Sequence, residues 1–129
     1  MHELSIAMSI VELAEEESAR RGGAHINAVH LKLGALSGVV SEALLSSWEM
    51  ACYDTDLRDS KLIIEKIPVL VYCRVCAARR RLESVQWFIC PECRSVVSEV
   101  IEGRELQVFA MEISNESTTA ESTTAAEAG

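Results

Sequence analysis

The segment CRVCAARRRLESVQWFICPEC, residues 73–93, contains two C-x-x-C pairs with thirteen residues between them. A C-x-x-C turn directs two thiolates to the same side of the chain, and two such turns brought together by a hairpin supply four sulfurs in a tetrahedron. Zn(II) prefers this soft four-sulfur environment. The spacing therefore predicts a structural zinc site whose ligands are Cys73, Cys76, Cys90 and Cys93.

The stretch between the pairs, Arg81 to Ile89, is long enough for a hairpin, and Trp87 and Phe88 are placed to cover the site. A four-thiolate site leaves no position open for water, so we expect this zinc to organise structure rather than to catalyse. Three alternatives use the same cysteines: an iron or iron–sulfur site, two disulfides, or a thioredoxin-like redox centre.

The composition of the chain is that of an ordinary globular protein. It has 129 residues, 49% of them apolar and 25% charged, which indicates one modest domain or one domain with an inserted module. The net charge is −8, yet residues 73–93 have four arginines against two glutamates, which leaves −10 for the remainder. This acidity argues against nonspecific binding to nucleic acid or to an anionic membrane. The alternative is a zinc-ribbon adaptor that binds nucleic acid or protein. It is favoured by three consecutive arginines that could contact phosphates, Arg79, Arg80 and Arg81.

No basic leader, and no apolar run near the ~18 residues of a membrane span, occurs in the sequence. We therefore expect a cytoplasmic protein without a membrane partner, in which thiols stay reduced and serve as metal ligands or buried side chains. The fifth cysteine, Cys52, is expected to be a buried thiol.

Hydrophobic periodicity predicts the elements around the cysteines. Residues 3–21 have a helical period and end at Gly22-Gly23, and His25 to Leu33 alternate like a half-buried strand. Ser41 is expected to cap a second helix that includes Leu44, Leu45, Trp48 and Cys52.

Two further strands are predicted, at Lys61 to Tyr72, with Pro68 at an edge or boundary, and at Gly103 to Ser114. In the second, Leu106, Val108 and Ala110 are expected on one face, and Gln107, Phe109 and Met111 on the other. The fold class is α+β: two helices on a small mixed sheet, with an inserted zinc-ribbon-like module.

The first residues, MHELS, form a second candidate metal site. A free amine, the amide nitrogen of residue 2 and the imidazole Nδ1 of His2 close fused five- and six-membered chelate rings, which suit Ni(II) and Cu(II). Methionine is expected to be retained before the bulky His2. The amide of Glu3 would complete the plane, or its carboxylate would lie above it. His30 is expected on the polar surface, and a supporting role for His25 or His30 is left open.

These motifs together resemble the HypA/HybF family of nickel metallochaperones for [NiFe]-hydrogenase maturation. The resemblance rests on MHELS, on VHLKLGALSGVVSEAL at 29–44, on both cysteine pairs and on GRELQVFAMEI at 103–113. It implies nickel binding by Met1, His2 and Glu3, and structural zinc on the four cysteines. It also implies a carrier rather than an enzyme, with a HypB-type GTPase and the hydrogenase large-subunit precursor as partners and a homodimer left open.

The order of the predicted elements places the cysteine segment, which is too short for a large core, as an insertion. We therefore expect a nickel-binding domain at 1–69, an inserted zinc module at 70–102 and a strand at 103–113 that returns to the first domain. Two features depart from the family pattern. Ala77 and Arg94 follow the cysteine pairs, where zinc knuckles often have glycine. Residues 116–120 and 121–125 repeat ESTTA, and the composition predicts that 114–129 form a disordered tail.

Overall fold

A computed structural model describes residues 2–114 and 121–125 of the chain. Its elements, in chain order, are α1 (Glu3–Arg20), β1 (His25–Gly34), α2 (Ser41–Cys52), β2 (Lys61–Ile67), β3 (Leu70–Cys73), β4 (Ala78–Arg81), β5 (Glu99–Glu102), β6 (Leu106–Ser114) and β7 (Glu121–Ala125). Two helices with two small sheets confirm the predicted α+β class.

The first sheet is mixed and has the strand order β2-β1-β6-β7. β1 pairs in parallel with β2 and antiparallel with β6. Both helices contribute to the same hydrophobic core as the sheet, a cluster that includes Ala7, Ile10, Leu31, Leu44, Trp48, Leu62 and Met111. Trp48 also satisfies its indole N–H, which donates to the carbonyl of Ser60 at 3.0 Å. This core fixes the orientation of α1 and therefore the place of the N-terminus.

The start of α2 differs from the predicted cap by one residue. The N-cap is Val40, with extended backbone, and its carbonyl accepts the first helical bond from Leu44 at 3.0 Å. Ser41 is already helical, and its hydroxyl donates to Glu42 at 2.8 Å. Val40 has no polar side chain to cap the helix. Its backbone N–H donates to the carboxylate of Glu3, in α1, at 3.3 Å.

The predicted strand from Lys61 to Tyr72 is two strands. β2 ends at Ile67, β3 begins at Leu70, and the two belong to different sheets. Proline has no N–H to donate to a neighbouring strand, so Pro68 lies at a strand boundary, which is one of the two positions predicted for it.

The two faces of the last core strand were predicted incorrectly. The pairing of β1 with β6 shifts between His30–Ala110 and Leu31–Val108, so Phe109 is left out of the register. A bulge of this kind turns the following residues over. Val108 and Met111 therefore both join the helix-facing core, although a strict alternation places them on opposite faces.

The second sheet has the order β4-β3-β5, and all three strands are four residues long. β4 and β5 were not predicted, because short strands dominated by Arg and Glu have no apolar alternation. The core of this sheet is small: Val69, Val71, Cys73, Leu82, Cys90 and Val97, with Leu36 from the loop after β1 packed against it.

A close backbone contact joins the two sheets at Gly34. The N–H of Gly34 donates to Glu105 at 2.7 Å, and the N–H of Leu36 donates to the carbonyl of Gly103 at 2.6 Å. A Cβ on Gly34 would lie 2.2 Å from the Gly103 carbonyl oxygen, a separation that real atoms do not show. Only glycine fits at this position.

The structure differs from the expected disordered tail. Ser114 is the last residue of β6, and β7 pairs with β6 antiparallel. Residues 115–120 and 126–129 lie outside the described residues. Composition predicts whether side chains can form a core, whereas an edge strand needs only backbone hydrogen bonds, for which threonine is well suited.

Within residues 2–114 and 121–125, no helix combines the length and apolarity needed to cross a membrane.

Gly34→Ala is expected to lower the free energy of unfolding by about 3 kcal/mol, because the new methyl group meets backbone that cannot move independently. Gly22→Ala is the matched control. Gly22 has φ +71° with open space around it, so this change should cost only the left-handed strain of about 1–2 kcal/mol. Urea denaturation of both variants measures the difference. Equal stability of the two variants would contradict the contact.

Candidate metal centres

The four predicted zinc ligands converge in the structure. The sulfurs of Cys73, Cys76, Cys90 and Cys93 all lie within 4.8 Å of one another. Two pairs from opposite knuckles are 3.5 Å and 3.8 Å apart, Cys73 to Cys93 and Cys76 to Cys90. Four sulfurs at a Zn–S distance of about 2.3 Å from one ion are separated by about 3.8 Å, so the donor set fits a tetrahedral zinc ion. Disulfides require about 2.05 Å, and all five cysteines are free thiols.

The second knuckle, Cys90 to Cys93, favours thiolates. The backbone N–H of Cys93, followed by that of Glu92, lowers the pKa of Cys90 to about 6. The hydroxyl and then the N–H of Ser95 lower the pKa of Cys93. Because a thiolate is the form that binds metal, these donors prepare two of the four ligands in advance.

Cys76 in the first knuckle holds its proton more tightly. Hydrogen bonding to the Cys93 sulfur raises the pKa of the Cys76 thiol to about 11, and the neighbouring guanidinium of Arg80 acts in the opposite direction. The N–H of Cys76 also donates to the sulfur of Cys73 at 3.5 Å. The four thiols thus form one hydrogen-bonded group that can release its remaining protons to a metal ion.

The residues after the two cysteine pairs have the backbone conformation that glycine favours. Ala77 has φ 53° and Arg94 has φ 66°. These left-handed turns bring Arg94 N–H to the carbonyl of Cys90 at 2.9 Å, which closes the second knuckle. The absence of glycine at these two positions therefore leaves the turn geometry intact, at the cost of local strain.

The two aromatic residues of the module have different environments. Phe88 packs against the core that contains Cys73 and Cys90, as predicted. Trp87 remains 67% exposed and does not cover the cysteines. The surface of the module instead shows several exposed apolar side chains: Val75, Val85, Trp87, Ile89 and Val96.

The arginine triplet does not form one surface. Arg79 and Arg81 are exposed, whereas Arg80 points the other way and is half-buried beside the cysteines. Alternation along β4 explains this, since neighbouring strand residues face opposite sides. Sequence analysis missed Arg80 as part of the metal site because β4 was not predicted. The only available signal was the middle place of Arg80 in the triplet, which strand alternation puts on the opposite face from Arg79 and Arg81.

The N-terminal candidate is an exposed helix start. His2 is the N-cap of α1, with φ −87° and ψ 112°, is solvent-exposed, and makes no side-chain capping bond. Met1 lies outside the described residues. The first N–H groups of a helix have no intrahelical partner, so the amides of His2 and Glu3 take part in no helix bond that a metal would break.

Glu3 has a structural contact of its own. Its carboxylate accepts the N–H of Val40 at 3.3 Å, and hydrogen bonds from the backbone of Glu3 itself and of Val40 lower its pKa. This bond connects the start of α1 to the start of α2. The carboxylate of Glu3 thus accepts from two backbone N–H groups, that of Val40 and that of Glu3 itself.

The remaining candidates lie away from both centres. His25 is exposed at the far end of α1 from His2, about 27 Å along an 18-residue helix. His30 lies within β1, with Nε2 2.7 Å from Glu112 and its ring edge-on to Phe109. Cys52 is buried, and this desolvation raises its pKa to about 11, which fits a structural thiol. In the part of the chain that the structure describes, the four cysteines are the only cluster of three or more His, Cys, Asp or Glu ligands.

Comparison with known proteins identifies the family of the chain. The profile of the family described as hydrogenase/urease nickel incorporation, metallochaperone, HypA, matches residues 1–113. A hydrogenase maturation factor HypA of Roseiflexus is 45% identical over 112 residues, covering 87% of this chain and 91% of the relative. The HypA of Chloroflexus aurantiacus is also 45% identical, covering 87% and 98%.

Two solved structures have the same fold. The solution structure of the Ni metallochaperone HypA from Helicobacter pylori aligns with a TM-score of 0.59 at 25% identity, over 90% of this chain and all of that one. A second HypA solution structure aligns with a TM-score of 0.64 at 25% identity, over 90% and 98%.

Ala77→Gly should raise the stability of the cysteine module by up to about 1 kcal/mol, because glycine adopts φ 53° without strain. Ala78→Gly is the matched control, since the same change one residue later, within β4, should instead lower stability by about 0.5–1 kcal/mol. Thermal denaturation of the zinc-loaded variants measures both. A loss of stability in Ala77→Gly equal to that in Ala78→Gly would contradict the strained turn.

Proposed function

The chain belongs to the HypA family of nickel metallochaperones for hydrogenase maturation, and we propose that it takes Ni(II) at its N-terminus and delivers it to the hydrogenase large-subunit precursor. The proposed donors are the amine of Met1, the amide and imidazole nitrogens of His2, and the amide nitrogen of Glu3. This set closes fused chelate rings in one plane, the geometry that Ni(II) prefers.

The observation that carries the proposal is the position of His2. It is exposed at the end of α1, and its imidazole makes no capping bond to the helix. A carrier must release its cargo, so its site should be accessible and should draw on few parts of the fold. A ligand set within three consecutive residues meets both conditions, because the metal can leave without the opening of a core.

The carboxylate of Glu3 has a supporting role in this proposal. Its bond to Val40 holds the first turn of α1 against α2, and a metal bound by the Glu3 amide nitrogen would replace the hydrogen bond between that N–H and the carboxylate. Its negative charge also lies in the first turn of a helix, where it is favoured by the dipole. Glu3 therefore positions the site more than it coordinates nickel through its side chain.

The four cysteines would hold a structural zinc ion, which supplies a rigid centre for the second sheet. Since all four positions of such an ion are taken by thiolates, no site for activating water remains. Together with the family's role as a maturation factor, this supports a carrier without catalytic activity. We assign residues 1–69 and 103–113 to the nickel-binding domain and 70–102 to the zinc module.

We place a HypB-type GTPase as the source or co-donor of nickel, in the cytoplasm, where the four thiols stay reduced. Two features argue against a nucleic-acid partner. The chain outside residues 73–93 is strongly acidic, and the three arginines of β4 lie on opposite faces of the strand. Co-purification with a HypB-type GTPase and with the large-subunit precursor tests these partners.

His2→Ala and a one-residue extension ahead of Met1 should each abolish most nickel binding, because the first removes the imidazole and the second converts the amine into an amide. Glu3→Gln keeps the amide and an acceptor for Val40, so nickel binding should weaken much less. His25→Ala, at the other end of α1, is the control and should bind like the native chain. Nickel titration by calorimetry measures all four. Native affinity in the extended protein would refute the N-terminal site.

Cys73→Ser should lose zinc and the protease resistance of residues 70–102 while α1 stays helical, because metal binding and folding of this small module form one equilibrium. Cys52→Ser is the matched control: it makes the same change at a buried thiol outside the cluster, so zinc content should not fall. Metal analysis by mass spectrometry and limited proteolysis provide the readouts. A Cys73→Ser protein with full zinc would overturn the assignment, and iron in the native protein would replace zinc as its metal.

A further inference from the structure

A divalent ion bound by four thiolates has a net charge of −2, and a partly buried charge of this size needs compensation. Two sources are already present in the second knuckle, the backbone N–H groups around Cys90 and the hydroxyl of Ser95 beside Cys93. Both supply partial charges only. A full positive charge near the sulfurs would offset the excess much more effectively.

Arg80 is placed to supply that charge. It lies opposite Val71 in the pairing of β4 with β3, and residues directly opposite each other share a face of the sheet. Val71 and Cys73 lie on this same face, within the small core. Arg80 therefore projects to the side of the sheet where the cysteines meet, whereas Arg79 and Arg81 project to the other side and are exposed.

The side chain of Arg80 is half-buried on the face of the sheet that carries the cysteines. The Cys76 sulfur, and after it the Cys90 sulfur, raises the pKa of the Arg80 guanidinium. One of its terminal nitrogens also donates to the carbonyl of Arg79 at 3.4 Å. Its Nε is buried, and among the described residues it has no hydrogen-bond partner. A buried guanidinium N–H left without a partner is a rare arrangement, and the thiolates of a metal-bound cluster would accept hydrogen bonds from a guanidinium more strongly than free thiols do.

We propose that Arg80 is a positioning residue of the four-thiolate site, whose guanidinium offsets the charge of the metal–thiolate cluster and holds Cys76 and Cys90 in the ligating arrangement. The proposal rests on zinc binding by the four cysteines. Its consequence is resistance to metal loss: a thiolate that accepts a charged N–H bond donates less electron density to an attacking electrophile, so zinc should leave more slowly.

Arginine suits this role better than lysine or histidine. It is always protonated, and its planar fork presents several N–H donors toward two acceptors at once. It is also not a metal ligand, so it cannot replace a cysteine in the site. The positive charge of Arg80 should stabilise the first knuckle most, because Cys76 lacks the backbone N–H donors that lower the pKa of the thiols in the second knuckle.

Arg80→Gln tests the proposal in the full-length, zinc-loaded protein. The variant should bind zinc about tenfold more weakly in competition with a chelating indicator, the usual size of a loss outside the ligands themselves. It should also release zinc faster when the cysteine thiolates attack an aromatic disulfide, a step that forms a mixed disulfide and expels one aromatic thiolate. Arg79→Gln and Arg81→Gln are matched controls, because they remove the same charge from the same strand, and both should behave like the native protein.

The cadmium-substituted protein gives a second readout, since the cadmium NMR resonance responds to hydrogen bonds at the ligating sulfurs. Arg80→Gln should displace this resonance, and the two control variants should not. If Arg80→Gln fails to fold, Arg80→Lys carries the test: it keeps the charge but loses the fork, so a displaced resonance and faster release are expected.

An Arg80→Gln protein whose zinc release and cadmium resonance equal those of Arg79→Gln would overturn the role of Arg80. So would an Arg80→Lys protein identical to the native one in both measurements. Failure of the native protein to bind zinc at all would instead refute the underlying zinc assignment, so the two failures are distinguishable.

Discussion

Convergence of four sulfurs within 4.8 Å is the constraint on which the second half of the structure depends. The three strands around them have four residues each, and their buried core has six residues, two of which are cysteines. A sheet this small cannot bury enough apolar surface to be stable alone. The metal site is therefore part of the core itself. Through Gly103, which packs on Val69 and accepts the Leu36 N–H, the same module sets where β6 can begin its return to the first sheet.

The four-cysteine site and the proposed nickel site would differ in character because their ligands come from different parts of the fold. The cysteines lie in two turns separated by thirteen residues, and removing an ion from them would undo the packing between those turns. The proposed nickel donors lie in consecutive residues at the exposed start of α1, outside both hydrophobic cores. The first site would therefore retain its ion and the second would release it, because far fewer contacts would have to break at the start of α1.

Much of this arrangement could be predicted from sequence because it depends on local spacing. Two C-x-x-C pairs predict four sulfurs that converge, and Gly22-Gly23 predicts the end of α1. Pro68 was predicted at an edge or a boundary of one strand, which the structure divides into two. The errors concern long-range partners. The bond from the Val40 N–H to Glu3, 37 residues earlier, has no signal in local spacing, and the bulge at Phe109 depends on the register against β1. Arg80 belongs to the same class, since only the pairing of β4 with β3 shows which member of an arginine triplet faces the sulfurs.

The N-terminus of a helix is an unexpected place for a cation, because its free N–H groups and the helix dipole present positive charge. The proposed chelate removes this conflict. When Ni(II) displaces protons from the amides of His2 and Glu3, two unfavourable N–H dipoles become anionic nitrogen donors. The carboxylate of Glu3, whose pKa is lowered by the backbone N–H groups around it, adds a further negative charge in the first turn. Ions that do not displace amide protons, such as Zn(II) and Mg(II), would meet the dipole unmodified. In the proposed site, the helix start would disfavour the commoner ions and accept those that favour square-planar nitrogen ligands, which would give the carrier part of its selectivity without an enclosed pocket.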